Sequence, residues 1–524
     1  GGGAGISAAI AAAEQGAQVL LIEKLGYLGG ATIISGGKIP AANSKQQQEK
    51  GIEDSVEALA RDILRPSNYS TRQELVYTVA ENATPVAEWL ESMGVVWTLM
   101  DSLYYGQTEY RMLNAEGNGA GMTSKMIDHL NSLENVTVML ETTGTGLITN
   151  QENEVIGATA EGKDGSMVIY ADNVVLATSG FAANKEMLEK YIPEIVDAYP
   201  MVAPGATGEG ILWGMELGAA VENMHAYQGY GFYCEGVGAM DQGLADRGGI
   251  MVNLNTERFC DEHNGYSQIA PHVIAQPEHH VYLIFDEANA QQSDLSAYEE
   301  KGLLIKADTV AELAEKTGLD AEKLEKVVEE YREGIEKGED KFNRTLLPDS
   351  FEAPFYAIYM TADLRHTQGG LVTDVAAHVL TEDNEVIQGL YAAGGVTEGF
   401  STRAGADYMS GNGLLQALVF GKIAGERAAT ETRGSQEYVP YTGTGLDNYK
   451  RLVSVFGGLS IYIPKADAWE RMARDEQIRE EFDGYNFKEL AGRYGLTEVR
   501  IRSIVSDKMR EVRTRPMDGQ QSLF

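Results

Sequence analysis

The first 23 residues constrain the fold of this chain most strongly. They open with a glycine turn formed by Gly2, Gly3 and Gly5. A helix of small residues is predicted over 6–15, and the apolar strand 17–22 then ends at Glu23. Glycine turn, crossover helix and second strand in this order are typical of a dinucleotide-binding βαβ unit, in which the last glycine allows close packing and the acid binds a ribose hydroxyl. The sequence therefore predicts an α/β fold with a nucleotide site, and an apolar strand is expected before Gly1.

A second glycine-rich block lies between residues 365 and 425. A short apolar strand runs into Gly394-Gly395, and a second turn precedes a helix predicted over 414–424. Gly411 in this turn has no Cβ, so a ligand can approach the backbone closely. The amides at the start of the helix suit anionic or electron-rich groups. The block predicts half of a cofactor site, with tight packing alone as the alternative.

Together the two blocks resemble a flavoprotein family that contains fumarate reductases, flavocytochromes c, urocanate reductases and 3-ketosteroid dehydrogenases. The resemblance covers about residues 1–430, and the segments 28–37, 174–181 and 207–210 match in the same order. It implies FAD, rather than NAD, as the cofactor. The residues that it places at the flavin are Gly2, Gly3, Gly5, Glu23, Gly29, Gly30, Ala31, Thr32, Gly36, Gly37, Ala177, Thr178, Gly180, Gly394, Gly395, Gly411, Asn412 and Leu414.

The breaks between these motifs predict how the domains are organised. Segments of a Rossmann-like FAD-binding domain are expected at 1–225 and 355–435, and an inserted α+β capping domain is expected at 226–354. In the family the cap closes over the flavin. Closure excludes water and holds the substrate in place.

The resemblance also identifies two positions that decide the substrate chemistry. In fumarate reductases, an arginine eight residues after the start of an R-F-x-N-E segment donates the proton, and another arginine before the glycine turn holds a carboxylate. Here the segment is 258–262, and these positions carry Tyr266 and Tyr408. Ketosteroid Δ1-dehydrogenases carry tyrosines there, one as acid/base and one on the substrate ketone. A phenol can donate to a carbonyl, exchange a proton and pack on apolar rings.

We therefore expect Tyr266 to be the proton donor or acceptor and Tyr408 to bind the carbonyl, with two purely structural tyrosines as the alternative. His366 favours the other branch, because His366-Thr367-x-Gly-Gly matches fumarate reductases, in which this histidine contacts a carboxylate. Arg403 either supplies the displaced positive charge or lies on the loop surface. Tyr104 is a further candidate to line the pocket.

The expected function is that of an FAD-dependent oxidoreductase acting on a C=C or CH–CH bond next to a carbonyl, as in an enone or ketosteroid. Reduction of a fumarate- or urocanate-type carboxylate is the alternative. The sequence does not identify the electron donor or acceptor.

The last part of the chain differs from the rest in charge. Residues 444–524 carry 14 basic and 13 acidic residues, so the net charge of −36 lies in the part before them. An acidic body repels nucleic acid. In the tail, a helix, a turn at Gly495 and a second helix capped by Thr497 are predicted. The second helix would carry the basic residues Arg500, Arg502, Lys508 and Arg510.

This pattern indicates a small all-α helix-turn-helix domain with a basic recognition helix. Residues 444–524 resemble Mor-type phage transcription activators, which implies DNA as a partner and a homodimer. A generic helical hairpin is the alternative. For the whole chain, a transcription regulator with a flavin sensor domain, or an accidental fusion of two reading frames, competes with the enzyme.

Composition narrows the class of protein further. The sequence contains no run of 18 apolar residues, so no membrane span is expected. The two cysteines, Cys234 and Cys260, have no metal-ligand spacing, so no metal site is expected. We expect a cytoplasmic protein, although an export signal cannot be judged from a sequence that begins at Gly1.

Overall fold

The computed structural model describes residues 1–104, 106–403, 405 and 408–431, and in the C-terminal part residues 474, 477–479, 481–483 and 485–505. The chain divides into two compact units, Gly1–Gly434 and Ser435–Phe524.

Up to residue 225 the larger unit alternates helices with short strands. The helices are α1 (Gly3–Glu14), α2 (Gly30–Ile33), α3 (Lys45–Glu49), α4 (Val56–Leu64), α5 (Gln73–Ser92), α6 (Asn118–Ser132), α7 (Lys185–Tyr191) and α8 (Glu209–Glu216). The strands are β1 (Val19–Ile22), β2 (Lys38–Pro40), β3 (Trp97–Leu99), β4 (Met112–Ala115), β5 (Val136–Met139), β6 (Thr143–Thr149), β7 (Val155–Gly162), β8 (Gly165–Tyr170), β9 (Val174–Leu176), β10 (Tyr199–Pro200) and β11 (Val221–Glu222).

The segment expected to be the cap also mixes strands and helices. Its strands are β12 (Tyr227–Cys234), β13 (Gly238–Ala239), β14 (Ile250–Asn253), β15 (Val281–Asp286) and β16 (Leu304–Ala307). Its helices are α9 (Gly243–Asp246), α10 (Tyr266–Ile274), α11 (Glu287–Ala290), α12 (Ser296–Glu300), α13 (Val310–Thr317) and α14 (Ala321–Lys337). The chain then continues through β17 (Phe355–Thr367), β18 (Gly370–Leu371), β19 (His378–Leu380), β20 (Val386–Ala392) and α15 (Asn412–Thr430).

Two parallel strand pairs pack behind the first helix. β1 pairs with β5, with Val19 opposite Val136, and β9 pairs with β20, with Val174 opposite Leu390. Helix α1 is buried from Gly3 to Ala13, because its glycine, alanine, serine and isoleucine side chains are small enough for neighbours to approach on every side. Parallel strands joined through a helix are the expected arrangement for a βαβ unit.

A long strand, β17, connects the insert to the glycine-rich block. From Phe355 to Met360 it pairs with β15, and from Thr361 to Thr367 it pairs with β12. The expected domain boundary at 355 is thus the first residue of a continuous strand. β17 belongs to the sheet of the insert and contains His366 one residue before its end. The insert therefore fixes the position of that histidine.

The smaller unit contains two described helices, α16 (Phe487–Tyr494) and α17 (Glu498–Ile504). α16 ends at Gly495 in a left-handed conformation, and the Thr497 hydroxyl accepts a hydrogen bond from the Arg500 amide at the start of α17. An apolar cluster joins them, formed by Ile478, Phe482, Phe487, Leu490, Ala491, Ile501, Ile504 and Val505. The complete helix-turn-helix domain stays a prediction, because Lys508, Arg510 and most of residues 432–524 lie outside the described residues.

In the described part of the chain, no helix has the length and apolar character needed to cross a membrane.

Candidate active site

Two glycine turns meet at the start of α1. The Gly29 amide donates to the Gly1 carbonyl at 2.7 Å, and the Gly3 amide donates to Thr32 Oγ1 at 3.0 Å. A methyl group added at Gly30 would lie 3.0 Å from the Gly2 Cα atom, so the two turns can touch only without side chains. The N-cap residue of α1 is Gly2, which has no side chain to cap the helix. Apart from the Thr32 hydroxyl, the start of α1 is therefore bounded by backbone, which is the form of site that a phosphate group uses.

Glu23 lies beside the same turn, and its side chain is 12% exposed. Its carboxylate accepts a hydrogen bond from the Leu25 amide at 2.8 Å and lies 3.0 Å from the Gly1 amino group. The structure thus brings Glu23 to the edge of the glycine turn, where the βαβ pattern places a ribose-binding acid.

The remaining residues predicted to bind the cofactor lie in or next to four elements, α2, β9, β20 and α15. Ala31 and Thr32 lie on α2, with Gly36 and Gly37 following it; Ala177, Thr178 and Gly180 follow β9; Gly394 and Gly395 follow β20; Gly411 precedes α15, which carries Asn412 and Leu414. Gly5 allows α1 to pack on this region, since a methyl group there would lie 3.3 Å from Ala177 Cβ.

Two of these residues carry a polar atom that a bound ligand could pair with. Thr178 Oγ1 and Asn412 Oδ1 are buried and have no hydrogen-bond partner among the described residues. Buried polar atoms are normally paired, because an unpaired one loses its hydration without compensation. An extended polar cofactor at this position would meet that need, so the residues fit FAD.

Helices α1 and α15 are held together through small residues. Methyl groups at Gly421 and Gly425 would lie 2.5 Å from the Ala4 carbonyl oxygen and 2.1 Å from the Ala8 carbonyl oxygen. The backbones of the helices are therefore in direct contact, and their N-terminal ends come from the two separate glycine blocks. This contact brings residues about 400 positions apart into one site.

Tyr408 lies in the core of the candidate site and is 6% exposed. The edge of its ring packs against His366, with 5.5 Å between ring centroids. Burial raises the pKa of Tyr408, whereas the backbone amides of Gly413 and Gly411 act in the opposite direction. The phenol therefore lies beside the start of α15.

His366 lies half-buried under the same turn. Burial lowers the pKa of its imidazole below 6.5, so the ring is neutral at pH 7. Its Nδ1 lies 3.1 Å from Gln368 Nε2 and 3.2 Å from the Thr367 carbonyl oxygen. A methyl group at Gly413 would lie 3.2 Å from His366 Nε2.

Tyr266 reaches the same turn from the insert. It is the first residue of α10, and its hydroxyl lies 2.7 Å from Ser410 Oγ. Its ring packs on Tyr230 of β12, with centroids 5.2 Å apart. Tyr266 also contributes to the raised pKa of Tyr408. The structure thus brings Tyr266, Tyr408 and His366 together, although they come from three different parts of the chain.

Arg403 lies elsewhere on the loop. It is exposed, and its guanidinium donates to the Pro66 carbonyl at 2.7 Å. The cation beside the three site residues is Arg365, which stacks over the Tyr230 ring and pairs with Asp363 at 2.6 Å. Sequence reasoning assigned no role to Arg365 or to Ser410. The sequence offered one indication of a role, which is position. Arg365 directly precedes His366, and Ser410 lies between Tyr408 and Gly411.

The R-F-x-N-E-like segment, residues 258–262, is part of a buried network of ion pairs. Arg258 pairs with Glu262 and Asp340, and Glu262 also accepts from the Met251 amide and lies 3.4 Å from Arg344. This buried network fixes the chain just before α10 and so determines where Tyr266 begins the helix.

Comparison with known proteins follows the same division of the chain. A family model described as FAD binding domain matches residues 1–414, and one described as Mor transcription activator family matches residues 431–522. A probable fumarate reductase of Shewanella frigidimarina (strain NCIMB 400) is 32% identical, over 82% of this chain and 73% of the relative.

Two solved structures share the fold. The open conformation of a flavocytochrome c3 fumarate reductase has a TM-score of 0.72 at 30% identity, covering 82% of this chain and 76% of that one. A 3-ketosteroid-Δ4-(5α)-dehydrogenase from Rhodococcus jostii RHA1, in complex with 4-androstene-3,17-dione, has a TM-score of 0.68 at 26% identity, covering 82% and 95%. These matches confirm the predicted mixed α/β FAD-binding fold and FAD as the cofactor.

Proposed function

We propose that this chain, which belongs to the FAD binding domain family of oxidoreductases, acts on a carbon–carbon bond next to a carbonyl group, as in an enone. The proposal depends on one observation. The two positions that carry arginines in fumarate reductases carry phenols here, and both phenols lie against the turn at Ser410. FAD would be held by the glycine turns at α1, by Thr178 and by the start of α15. When bound, the flavin would supply a hydride to the carbon β to the carbonyl in its reduced form, and would accept the hydride that leaves this carbon in its oxidised form.

Tyr408 is proposed to bind the carbonyl oxygen. The Gly411 and Gly413 amides lower the pKa of this phenol, against the effect of burial, because they stabilise negative charge on its oxygen. A phenol can donate its proton to a carbonyl oxygen of a substrate.

Tyr266 is proposed to move the proton. In reduction its hydroxyl gives a proton to the carbon α to the carbonyl, and in dehydrogenation it accepts one. Ser410 holds the hydroxyl oxygen of Tyr266 at 2.7 Å and can return or remove the proton. We propose that the insert, residues 226–354, serves as the cap that carries Tyr266 to the substrate and excludes water.

Charge around the site argues against a dicarboxylate substrate. His366 is neutral at pH 7, and Arg365 is already paired with Asp363. A dianion would therefore be bound without the two guanidinium groups that its negative charges require.

Reduction of a carboxylate is the second candidate for the same site. It is favoured by His366, which keeps the fumarate-reductase motif, and by the 32% identity with a probable fumarate reductase. The site would then need Arg365 to leave Asp363 and turn towards the substrate.

The C-terminal unit is proposed to bind DNA as a dimer, because the Mor model matches residues 431–522. DNA binding would require a cytoplasmic location. A regulator in which the flavin unit serves as a sensor remains the alternative to an enzyme.

A test of the enzyme proposal uses the purified full chain with FAD and a reduced viologen dye. We expect dye oxidation with (E)-hex-3-en-2-one and little with fumarate. Tyr266→Phe should lower kcat by about 10²-fold or more, as expected for loss of a general acid or base. Flavin absorbance should stay unchanged.

The matched control is Tyr282→Phe, which also removes a half-buried hydroxyl from the insert, where it bonds the Thr317 carbonyl. It should leave kcat unchanged. Faster turnover of fumarate than of the enone, or full activity in Tyr266→Phe, would contradict the proposal.

A further inference from the structure

A loop of the FAD unit follows the turn that carries Tyr408. Gly106 touches this turn at one end, since a methyl group there would lie 3.0 Å from Met409 Cγ. Met112 touches it at the other end, since a methyl group at Gly411 would lie 3.3 Å from Met112 Cε. The segment between them, 107–111, therefore begins and ends next to the turn that carries Tyr408.

Gln107 is the buried polar side chain of this segment that lacks a hydrogen-bond partner among the described residues. Arg111 is fully buried and pairs with both oxygens of Asp54 and with Asp62, and the Thr108 hydroxyl donates to Asp62 at 2.8 Å. Gln107 is 5% exposed, yet neither its amide oxygen nor its amide nitrogen has a hydrogen-bond partner among the described residues.

An unpaired buried amide opposes folding, because it gives up its water without gaining a partner. Another buried glutamine shows how such an amide is normally satisfied. The Gln47 amide donates to Asp54 and to the Tyr110 carbonyl, and its oxygen accepts from the Ser44 amide. Among the described residues Gln107 has no such arrangement, so its amide is open to a partner from a bound molecule.

We propose that Gln107 binds a second polar group of the substrate, on the opposite side of the double bond from the carbonyl that Tyr408 binds. Because the amide presents both an unpaired donor and an unpaired acceptor, the group it fits is neutral and has both functions, as a carboxamide or a hydroxyl does. A carboxylate would satisfy the amide nitrogen only and would face the amide oxygen. The inference rests on the proposed function and specifies the substrate class for the same site.

Three enones that differ only at the far end test this assignment. (E)-4-oxopent-2-enamide carries a carboxamide, (E)-4-oxopent-2-enoate carries a carboxylate, and (E)-hex-3-en-2-one carries an ethyl group. In the wild-type chain, kcat/KM should be highest for the amide. In Gln107→Leu, kcat/KM for the amide should fall at least about tenfold, whereas that for hexenone should change less than about threefold.

Stability separates this role from a structural one. Gln107→Leu removes an unpaired amide and should keep or raise the Tm, whereas the control Gln47→Leu breaks three hydrogen bonds and should lower it. A Gln107→Leu chain that unfolds or loses Tm would overturn the inference, and so would equal losses of kcat/KM for all three enones, or none.

Failure of the proposed function gives a different result. A wild-type chain with bound FAD that reduces none of the three enones overturns the proposed function and this inference together. Turnover of all three with no selective effect at Gln107 overturns the inference alone.

Discussion

At the scale of single residues, the site places two tyrosines in contrasting surroundings. Tyr408 is enclosed by His366 and by the backbone at the start of α15, which suits a fixed hydrogen-bond donor. Tyr266 is partly exposed at the first turn of α10 and bonds a serine hydroxyl, which suits exchange of a proton. Residue type and motif position predicted both candidates, and their roles stay predictions.

A buried carboxyl near the cofactor loop should make stability depend on pH. Glu398 is 4% exposed, and burial raises its pKa to about 7, although Arg72 at 2.8 Å acts against the shift. Since this folded-state pKa lies above the ordinary value of 4.5, the contribution of Glu398 to stability is complete below about pH 4.5 and is lost as pH rises through 7.

We therefore expect the Tm of the wild-type chain to fall between pH 5 and 8 by more than that of Glu398→Gln. Thermal unfolding of both chains across this range measures the difference. Parallel curves would show that Glu398 does not take up a proton on folding.

At the scale of elements, the contact between α1 and α15 joins the two halves of the cofactor site. A methyl group at Gly425 would lie 2.1 Å from the Ala8 carbonyl oxygen, so the helices must separate to accept it. We expect Gly425→Ala to lower the free energy of unfolding by about 1–3 kcal/mol. It should also weaken FAD binding, because both N-terminal ends would shift.

Chemical denaturation and a flavin titration measure these two effects. Gly492→Ala provides the control, because it makes the same change inside helix α16, where a methyl group meets nothing within 4 Å. That variant should be neutral or slightly more stable. Equal effects of the two substitutions would exclude close packing as the reason for Gly425.

At the scale of the whole molecule, an acidic FAD unit is followed by a unit with nearly balanced charge. If the second unit binds DNA, Arg500 at the start of α17 should contribute. We expect Arg500→Ala to weaken binding to duplex DNA severalfold and to make binding less sensitive to salt, because one phosphate contact is lost. Fluorescence anisotropy at several salt concentrations measures both.

Arg493→Ala is the matched control, because Arg493 lies on α16, outside the proposed recognition helix, and pairs there with Glu481 and Glu489. It should change DNA affinity less. Turnover by the FAD unit should be unaffected in either variant. An equal loss of affinity in the two variants, or no DNA binding by the wild-type chain, would contradict the proposed recognition helix.

Sequence patterns were most informative where a local rule applies. The glycine turns, the small-residue helix after them and the carboxylate at Glu23 follow short-range rules of backbone geometry, so residue types alone predicted a nucleotide-binding βαβ unit, and the family resemblance implied FAD. The same patterns placed helix ends less well. The helix expected over 414–424 extends from Asn412 to Thr430.

By itself, the sequence determined that the chain has a βαβ nucleotide unit, a second cofactor block and phenols in place of two arginines. Only the tertiary structure decided which side chains share the site. Tyr266 meets Ser410 across 144 positions, Arg365 turns to Asp363, and Gln107 is buried without a partner. Such contacts depend on how helices and strands pack, because no short-range pattern in the sequence records which distant residues become neighbours.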